Sequence, residues 1–284
     1  MSEFAKRVLF AAAAIPVVAL AVFVGDAPLT VLLSLVAGLG AWEFARLAAA
    51  AGHRPLMRTG IVLAALIPLM VHALRLGYWV PPFSWVALVV PALLTLALWR
   101  RGSLGAPLGA VATTLLGVWY TGGLLSFVYA LRYHRFAVGA VAGALLVAFP
   151  VVLTWLNDSG AFFAGKRFGK RKLMPSVSPA KTVAGAVGGL VVSVVAAWLY
   201  ARLVLGPYAG LGLSLGAVVL FGVAVSAAAQ LGDLVESLLK REAGVKDSST
   251  LIPGHGGVLD RTDSLLFAVP VAYVLLDLLL TVGA

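Results

Sequence analysis

The sequence contains no cysteine among its 284 residues. The chain can therefore form no disulfide, no thiolate metal site and no cysteine nucleophile. Charged residues are also scarce, since Asp, Glu, Lys and Arg together make up 11% of the chain. Soluble proteins carry about 25% charged residues, so this scarcity excludes a soluble domain of ordinary size.

The residues that remain are strongly apolar. Hydrophobic residues account for 62% of the chain, against about 45–50% in soluble domains, and the mean hydropathy is +1.04. We therefore predict an all-α, polytopic integral membrane protein, because most of its apolar segments have the roughly 17–25 residues that a spanning helix needs. Nine such segments lie at 8–24, 28–50, 59–75, 84–99, 108–131, 138–156, 182–204, 211–239 and 263–283.

The basic residues predict the orientation of these spans. With a cytoplasmic N-terminus, 17 of the 21 Lys and Arg residues fall in cytoplasmic segments and 4 fall outside. Cytoplasmic loops are enriched in Lys and Arg, so we expect the N-terminus of this multi-pass protein to be cytoplasmic. We expect its membrane to be the cell's inner (plasma) membrane. We attribute the formal net charge of +10 to loops that face anionic lipid headgroups, and we expect no nucleic acid partner.

The few acidic residues concentrate in one stretch, residues 230–264. Six of the eleven acids lie there among four cations: Asp233, Glu236, Glu242, Asp247, Asp260 and Asp263, with Lys240, Arg241, Lys246 and Arg261. The first part of the stretch is predicted to be helical. Four polar residues at spacing i, i+3, i+4 and i+7 then share one helix face: Asp233, Glu236, Ser237 and Lys240.

After this helix the pattern predicts a loop that leads into the last apolar span. The helix is expected to be broken by Gly244, by Ser248-Ser249-Thr250 and by Pro253-Gly254. His255-Gly256-Gly257 would then allow the backbone to approach a ligand closely. We expect the loop to return Asp260 towards the helix that carries Asp233, and Asp263 to cap the last helix. Two carboxylates that meet at a membrane surface suit a hard divalent cation such as Mg²⁺.

A second polar stretch joins the sixth and seventh predicted spans. Its loop, residues 157–181, is basic, and Asp158 is the one acid among these cations. Ser178 and Thr182 are predicted helix caps, and first-turn amides at such a cap bind phosphate. Lys181 adds a point charge for the same anion.

Three further features have structural interpretations. Gly185 and Gly189 have the spacing of closely packed membrane helices. Glu43 falls inside the second span, where a carboxylate is costly, so we expect it to face the protein interior, either paired with a cation or near the inner surface. Asp277, near the outer end of the last span, is expected to make a structural or oligomer contact.

The polar motifs together resemble the signature of a known enzyme family. The run Ser237-x-x-Lys240-Arg241-x4-Lys246-Asp247, then His255-Gly256-Gly257-x-x-Asp260-Arg261-x-Asp263, resembles that of the phosphatidate cytidylyltransferases (CDP-diacylglycerol synthases). The stretches Asp158-Ser-Gly-Ala and Ser178-Pro-x-Lys181-Thr182 are similar to the same family. One departure is Ala184, where many members have Glu or Gln.

The resemblance implies a nucleotidyltransferase of phospholipid biosynthesis. Such an enzyme transfers CMP from CTP to phosphatidic acid among membrane lipids, giving CDP-diacylglycerol and pyrophosphate, with Mg²⁺ and an active site that faces the cytoplasm. A second cation such as K⁺ and a homodimer stay open. The chain would divide into N-terminal transmembrane helices, 1–136, and a catalytic region, 137–284, with motif loops at 157–181 and 240–263.

The resemblance also implies roles for individual residues. Asp233 and Asp260 would bind the metal. The implied catalytic residues are Asp233, Lys240, Asp260, Arg261 and Asp263. The implied substrate-binding residues are Asp158, Lys181, Ser237, Lys246, His255, Gly256 and Gly257.

Two other functions fit parts of the pattern. A secondary transporter of an anionic substrate also carries charges within its membrane helices, although these usually lie near the midplane and in repeat-related pairs. A CTP-dependent lipid-alcohol kinase would transfer the γ-phosphate and release CDP. For the cytidylyltransferase we expect a lipid-open cleft between spans seven to nine and the inner surface.

Overall fold

A computed structural model describes residues 3–78, 81–252 and 254–282. Its α-helices in chain order are α1 (Glu3–Val24), α2 (Asp26–Ala50), α3 (Met57–Arg75), α4 (Phe83–Ala87), α5 (Val89–Arg101), α6 (Pro107–Val118), α7 (Phe127–Arg132), α8 (Gly139–Phe168), α9 (Val183–Tyr200), α10 (Gly206–Ala209), α11 (Leu215–Glu242) and α12 (Leu259–Leu279). A 3-10 turn (Ser103–Gly105) and two π turns (Trp119–Gly123 and Ala201–Leu205) join some of them. Short strands form two antiparallel pairs, β1 (Lys172–Met174) with β2 (Ser178–Thr182) and β3 (Leu211–Gly212) with β4 (Thr281–Val282).

The predicted all-α membrane fold is confirmed. Seven helical segments of the described residues are long and apolar enough to cross a membrane. They are Asp26–Ala50, Met57–Arg75, Pro107–Arg132, Gly139–Phe168, Val183–Ala209, Leu215–Glu242 and Leu259–Leu279. Each corresponds to one predicted span. The predicted span 8–24 falls in α1, whose apolar part, Val8–Val24, is shorter.

The predicted span 84–99 is not one continuous helix. Helix α4 ends at Ala87 and α5 begins at Val89. Pro91 explains the break, because proline has no backbone N–H and its ring clashes with the carbonyl of the residue four positions earlier, here Ala87. Pro91 is visible in the sequence, but the segment was predicted to be one span because it is apolar throughout.

The described chain divides into two compact units. The first comprises the described residues of Met1–Val18, Asp26–Ser126 and Leu239–Arg261. Within it α2 packs on α3 and α6, and α5 packs on α6. Leu56, Leu93, Ala97 and Val111 form a buried core there.

The second unit comprises the described residues of Ala19–Gly25, Phe127–Leu238 and Thr262–Ala284. Its most extensive packing joins α8 and α9. A β-carbon added to Gly185 would lie 2.8 Å from the carbonyl oxygen of Ala161, and one added to Gly189 would lie 2.9 Å from that of Asn157. The predicted close packing at these glycines is therefore confirmed.

The basic stretch after the sixth span is more ordered than predicted. Helix α8 continues to Phe168, so residues 157–168 are helical and not part of a loop. Ser159 and Gly160 do not end the helix, because α9 packs against this part of α8 and stabilises it. The rest of the stretch contains the β1–β2 hairpin.

The two predicted caps behave differently. Thr182 caps α9, since its side chain accepts a hydrogen bond from the Gly185 amide at 3.1 Å. Ser178 is instead the first residue of β2 and lies opposite Met174. The cap prediction is thus confirmed for Thr182 and wrong for Ser178, because strand pairing occupies the chain there.

Asp277 makes the structural contact that was one of its two predicted roles. Its Oδ1 lies 2.8 Å from Arg135 Nε and 3.6 Å from Nε2 of the buried His134. Burial lowers the pKa of His134, although the charge of Asp277 acts in the opposite direction. Arg135 therefore provides the main charge partner of Asp277 in this unit.

The α8–α9 interface generates a test of stability. Gly185→Ala places a methyl group against the backbone of Ala161, so we expect it to lower the stability by about 1–3 kcal/mol. Gly216→Ala is the matched control, because a β-carbon there meets no atom within 4 Å. Thermal unfolding of the purified protein in detergent checks this. Equal melting temperatures for the two variants would contradict the packing.

Candidate active site

The loop between α11 and α12, residues 243–258, is here called the signature loop. Lys240 lies in the last turn of α11, and Asp260 lies in the first turn of α12. Lys240 Nζ is 2.7 Å from Asp260 Oδ1, and the two side chains are only 12% and 4% exposed. The structure thus brings together a predicted phosphate-binding lysine and a predicted metal-binding aspartate as an ion pair.

Asp260 is held by neutral donors as well as by Lys240. Its Oδ2 accepts hydrogen bonds from the Ser248 amide at 2.9 Å, the Ser248 hydroxyl at 2.8 Å and the Gly257 amide at 2.7 Å. A carboxylate offers roughly four lone-pair positions. Asp260 Oδ1 therefore keeps capacity for one further ligand, which suffices for a metal bound through one oxygen.

Two adjacent glycines of the signature loop, Gly256 and Gly257, make room for carboxylates of the chain itself. Gly256 has a φ of +82°, and a β-carbon added there would lie 2.6 Å from Asp260 Oδ2. A β-carbon added to Gly257 would collide with the Ser248 hydroxyl and with the Glu43 carboxylate. The close approach predicted for a ligand is therefore made, at these two positions, by Asp260 and Glu43.

Glu43 is fully buried in α2, and four donor groups lie within hydrogen-bond distance of its carboxylate. Its Oε1 accepts from the Ser249 hydroxyl at 2.6 Å and the Val258 amide at 2.9 Å. Its Oε2 accepts from the Leu259 amide at 2.6 Å. The Ser248 hydroxyl lies 3.2 Å from Oε2 and shares its one proton with the nearer Asp260 Oδ2. Of the two alternatives expected for Glu43, the cation partner is not found among the described residues, where the groups at the carboxylate are neutral donors.

The second unit contains another lysine–aspartate pair. Lys181 Nζ lies 2.6 Å from Asp233 Oδ2, and the side chains are 26% and 37% exposed. Asp158 on α8 is close enough for the charges of both residues to act on it. Three of the predicted site residues, from α8, β2 and α11, therefore meet in this unit.

A network of uncharged polar side chains supports this pair. Asn157, only 1% exposed, accepts hydrogen bonds at its Oδ1 from the Ser226 hydroxyl at 2.7 Å and from Gln230 Nε2 at 3.0 Å. Its amide donates to Asp158 Oδ1 at 3.1 Å. Gln230 also donates to the Ala186 carbonyl of α9 at 3.1 Å. The network therefore links α8, α9 and α11.

The predicted site residues did not include Asn157, Ser226 or Gln230. A signal was present, because Ser226, Gln230, Asp233 and Ser237 recur at helical spacing along α11. Polar residues within apolar helices usually face a protein interior. The predicted polar face of this helix therefore begins two turns earlier than expected.

Asp263 is not the cap of the last helix. Helix α12 begins at Leu259, so Asp263 lies past the first turn. Its Oδ1 accepts a hydrogen bond from the adjacent Ser264 amide at 2.6 Å. The prediction is wrong because Glu43 accepts from the Val258 and Leu259 amides at the start of α12.

The other predicted residues differ in exposure. Arg261 and Lys246 are exposed, and Ser237 is half-buried on α11. The ring of His255 lies 5.5 Å from that of Phe10, and its Nδ1 is buried with no hydrogen bond among the residues described. Arg261 and Lys246 are thus accessible to an anionic ligand.

The donor atoms fit a cation that also binds phosphate. Among the described residues, no three His, Cys, Asp or Glu side chains form a group that could enclose a metal. Mg²⁺ is usually bound through one or two carboxylates, with water and substrate phosphates as its other ligands, so Asp233 and Asp260 are each chemically suited as a ligand. They belong to different units, and their meeting at one cation stays a prediction.

Comparison with known proteins agrees with the resemblance. The phosphatidate cytidylyltransferases of Haemophilus influenzae and Bacillus subtilis are 46% and 48% identical to the chain over 140 and 136 residues. These matches cover 49% and 48% of this chain, and it spans about half the length of those relatives, 48% and 49%. The phosphatidate cytidylyltransferase of Pseudomonas aeruginosa is 36% identical over 262 residues, which is 86% of each chain.

The similarity is not confined to the polar motifs. The sequence model of the cytidylyltransferase family matches residues 5–279. This range includes α2 with Glu43, the α8–α9–α11 network and the signature loop. Since nearly the whole chain matches, it belongs to the cytidylyltransferase family.

Proposed function

We propose that this protein transfers CMP from CTP to phosphatidic acid, forming CDP-diacylglycerol and pyrophosphate. The observation that carries the proposal is the pairing of a lysine with an aspartate at both polar clusters. Lys240–Asp260 and Lys181–Asp233 each offer one group for a phosphate oxygen and one for a cation. The names of the relatives support the choice of substrates.

The proposed reaction needs charge neutralisation more than proton transfer. A phosphate oxygen of phosphatidate attacks the α-phosphorus of CTP, the new P–O bond forms, and the bond to the β-phosphate breaks to release pyrophosphate. Phosphatidate is already ionised at neutral pH, so the chain needs no strong general base. Positioning and electrostatic stabilisation supply most of the catalysis in such transfers.

The chain's residues have distinct tasks in this proposal. Lys181, Lys240 and Arg261 bind phosphate oxygens and neutralise the charge that develops on them. Mg²⁺, held by Asp233 and Asp260, would supply further positive charge at the triphosphate. Ser237, Lys246 and His255 are assigned to substrate binding, with K⁺ left open as a second cation.

The lipid substrate is proposed to enter from the bilayer. An apolar groove of about 410 Å³ lies in the second unit on α8 and α9, the sixth and seventh predicted spans, and not between the spans seven to nine that were predicted to form the cleft. It is lined by Val152, Leu156, Val191, Val195 and Leu199, among others. Leu156, which lines the groove, directly precedes Asn157 of the polar network in α8. The groove therefore suits an acyl chain of the lipid.

The proposed topology places the active site at the cytoplasmic surface. It has nine spans and a cytoplasmic N-terminus, supported by the distribution of 17 basic residues inside and 4 outside. The polar segments 157–181 and 240–263 would then face the compartment that contains CTP. A homodimer stays open in this proposal.

Labelled nucleotides test the reaction and separate it from the two other functions. With purified protein in detergent, phosphatidate and Mg²⁺, we expect label from [α-³²P]CTP in the lipid product and label from [γ-³²P]CTP in pyrophosphate. A lipid-alcohol kinase would instead place the γ-label in lipid when given its alcohol. A transporter would form no product in detergent, and that result would contradict the proposal.

Replacing either aspartate tests the charge requirement. Asp233→Asn and Asp260→Asn remove one negative charge while preserving the side-chain shape, so we expect turnover to fall by roughly 100-fold or more. The matched control is Asp26→Asn, since Asp26 pairs with Arg75 at 3.2 Å outside both polar clusters. Turnover measured at saturating CTP checks this. Near-normal turnover of either site variant, with the control also active, would remove the metal assignment.

A further inference from the structure

Glu43 of helix α2 contacts both the first half of the signature loop and the start of α12. Ser248 and Ser249 lie in the first half of this segment, and Val258 and Leu259 lie where α12 begins. All four have a donor group within hydrogen-bond distance of the one carboxylate, and the Ser248 hydroxyl shares its single proton with Asp260. Hydrogen bonds to a charged acceptor are about twice as strong as neutral ones, and burial removes competing water. Glu43 thus holds the loop at two places, at Ser248 and Ser249 and at the start of α12.

The same contacts connect Glu43 to Asp260. The Ser248 hydroxyl lies 3.2 Å from Glu43 Oε2 and 2.8 Å from Asp260 Oδ2, so one group touches both carboxylates. Gly257 donates its amide to Asp260. Its α-carbon faces Glu43, because an added β-carbon would lie 2.6 Å from Glu43 Cδ. A shift of Glu43 would therefore displace two of the groups that fix Asp260.

We propose that Glu43 is a positioning residue for the transfer reaction. Its carboxylate holds the signature loop so that Asp260 and Lys240 keep their paired arrangement. Glu43 is fully buried and therefore acts through the loop, not through contact with a substrate. This inference rests on the proposed function where turnover is the readout, and a second readout of loop motion does not depend on it.

The absence of cysteine allows a direct measurement of loop motion. Thr250→Cys places a single spin label at an exposed position of the signature loop, and Val138→Cys, at an 87% exposed position, serves as the reference site. Label mobility is measured by electron paramagnetic resonance with and without Glu43→Gln. Gln keeps the shape of Glu but replaces one acceptor oxygen with an amide that donates, so it opposes two of the four donors.

We expect Glu43→Gln to raise label mobility at residue 250 and leave it unchanged at residue 138. In the unlabelled protein it should lower kcat by roughly 10- to 100-fold, as for other residues that orient catalytic groups. The KM for CTP should change by less than about threefold, because the interaction lost concerns the transition state. Thr30→Val, which alters another buried polar residue of α2, should change none of these quantities.

Ser249→Ala is the milder variant if Glu43→Gln does not fold. It removes one donor to Glu43 and leaves Ser248 with Asp260, so we expect a smaller rise in mobility at residue 250. Unchanged mobility in the folded variants, or a normal kcat in Glu43→Gln, would overturn the positioning role. If the unsubstituted protein forms no CDP-diacylglycerol, the proposed function fails, and the mobility measurements still decide whether Glu43 holds the loop.

Discussion

Glu43 and Asp260 are carboxylates that burial removes from water, and each must find its partners within the protein. An unpaired buried charge costs several kcal/mol, so the surrounding chain is arranged to supply donors. Backbone amides at 257, 258 and 259 all point to one or the other carboxylate. The path of the signature loop follows from this requirement, and so do the glycines that let the carboxylates approach.

The second unit meets the same requirement with side-chain amides. Asn157 accepts two hydrogen bonds at its side-chain oxygen and donates one from its side-chain amide to Asp158. Polar groups in an apolar helix are stable where they satisfy one another. The network joins three helices close to the Lys181–Asp233 pair. The packing of those helices therefore also determines where the charged groups lie.

The sequence predicted the local features well and the distant ones poorly. The helical face with Asp233 and Lys240, the Thr182 cap and the α8–α9 glycines all depend on spacing within a few residues, and the structure contains them. The partners of Glu43 could not be predicted in the same way. Two of them are backbone amides 215 and 216 residues away, and a backbone amide leaves no mark in the sequence.

The corrections have physical reasons of the same kind. Helix α8 continues beyond its apolar segment because α9 packs against its polar end. Helix α12 begins before the predicted residue 263 because Glu43 accepts hydrogen bonds from the Val258 and Leu259 amides. The break between α4 and α5 did have a local signal in Pro91, although the segment is apolar throughout and therefore looked like one span. Tertiary contacts therefore decide where these helices end, while apolar composition decides only that they exist.

The β1–β2 hairpin has a consequence for the direction of Lys181. Its register pairs Lys172 with Thr182 and Met174 with Ser178, with an irregularity between them. Neighbouring residues of a strand point to opposite sides, and Thr182 is fixed by its bond to Gly185. A residue gained or lost in the turn between Met174 and Ser178 lies beyond the last paired residues, so it leaves the Lys172–Thr182 pair in place. A residue gained or lost between Lys181 and Thr182 would instead turn the Lys181 ammonium group away from Asp233. We therefore expect related chains to differ in length at the turn of the hairpin and not next to α9.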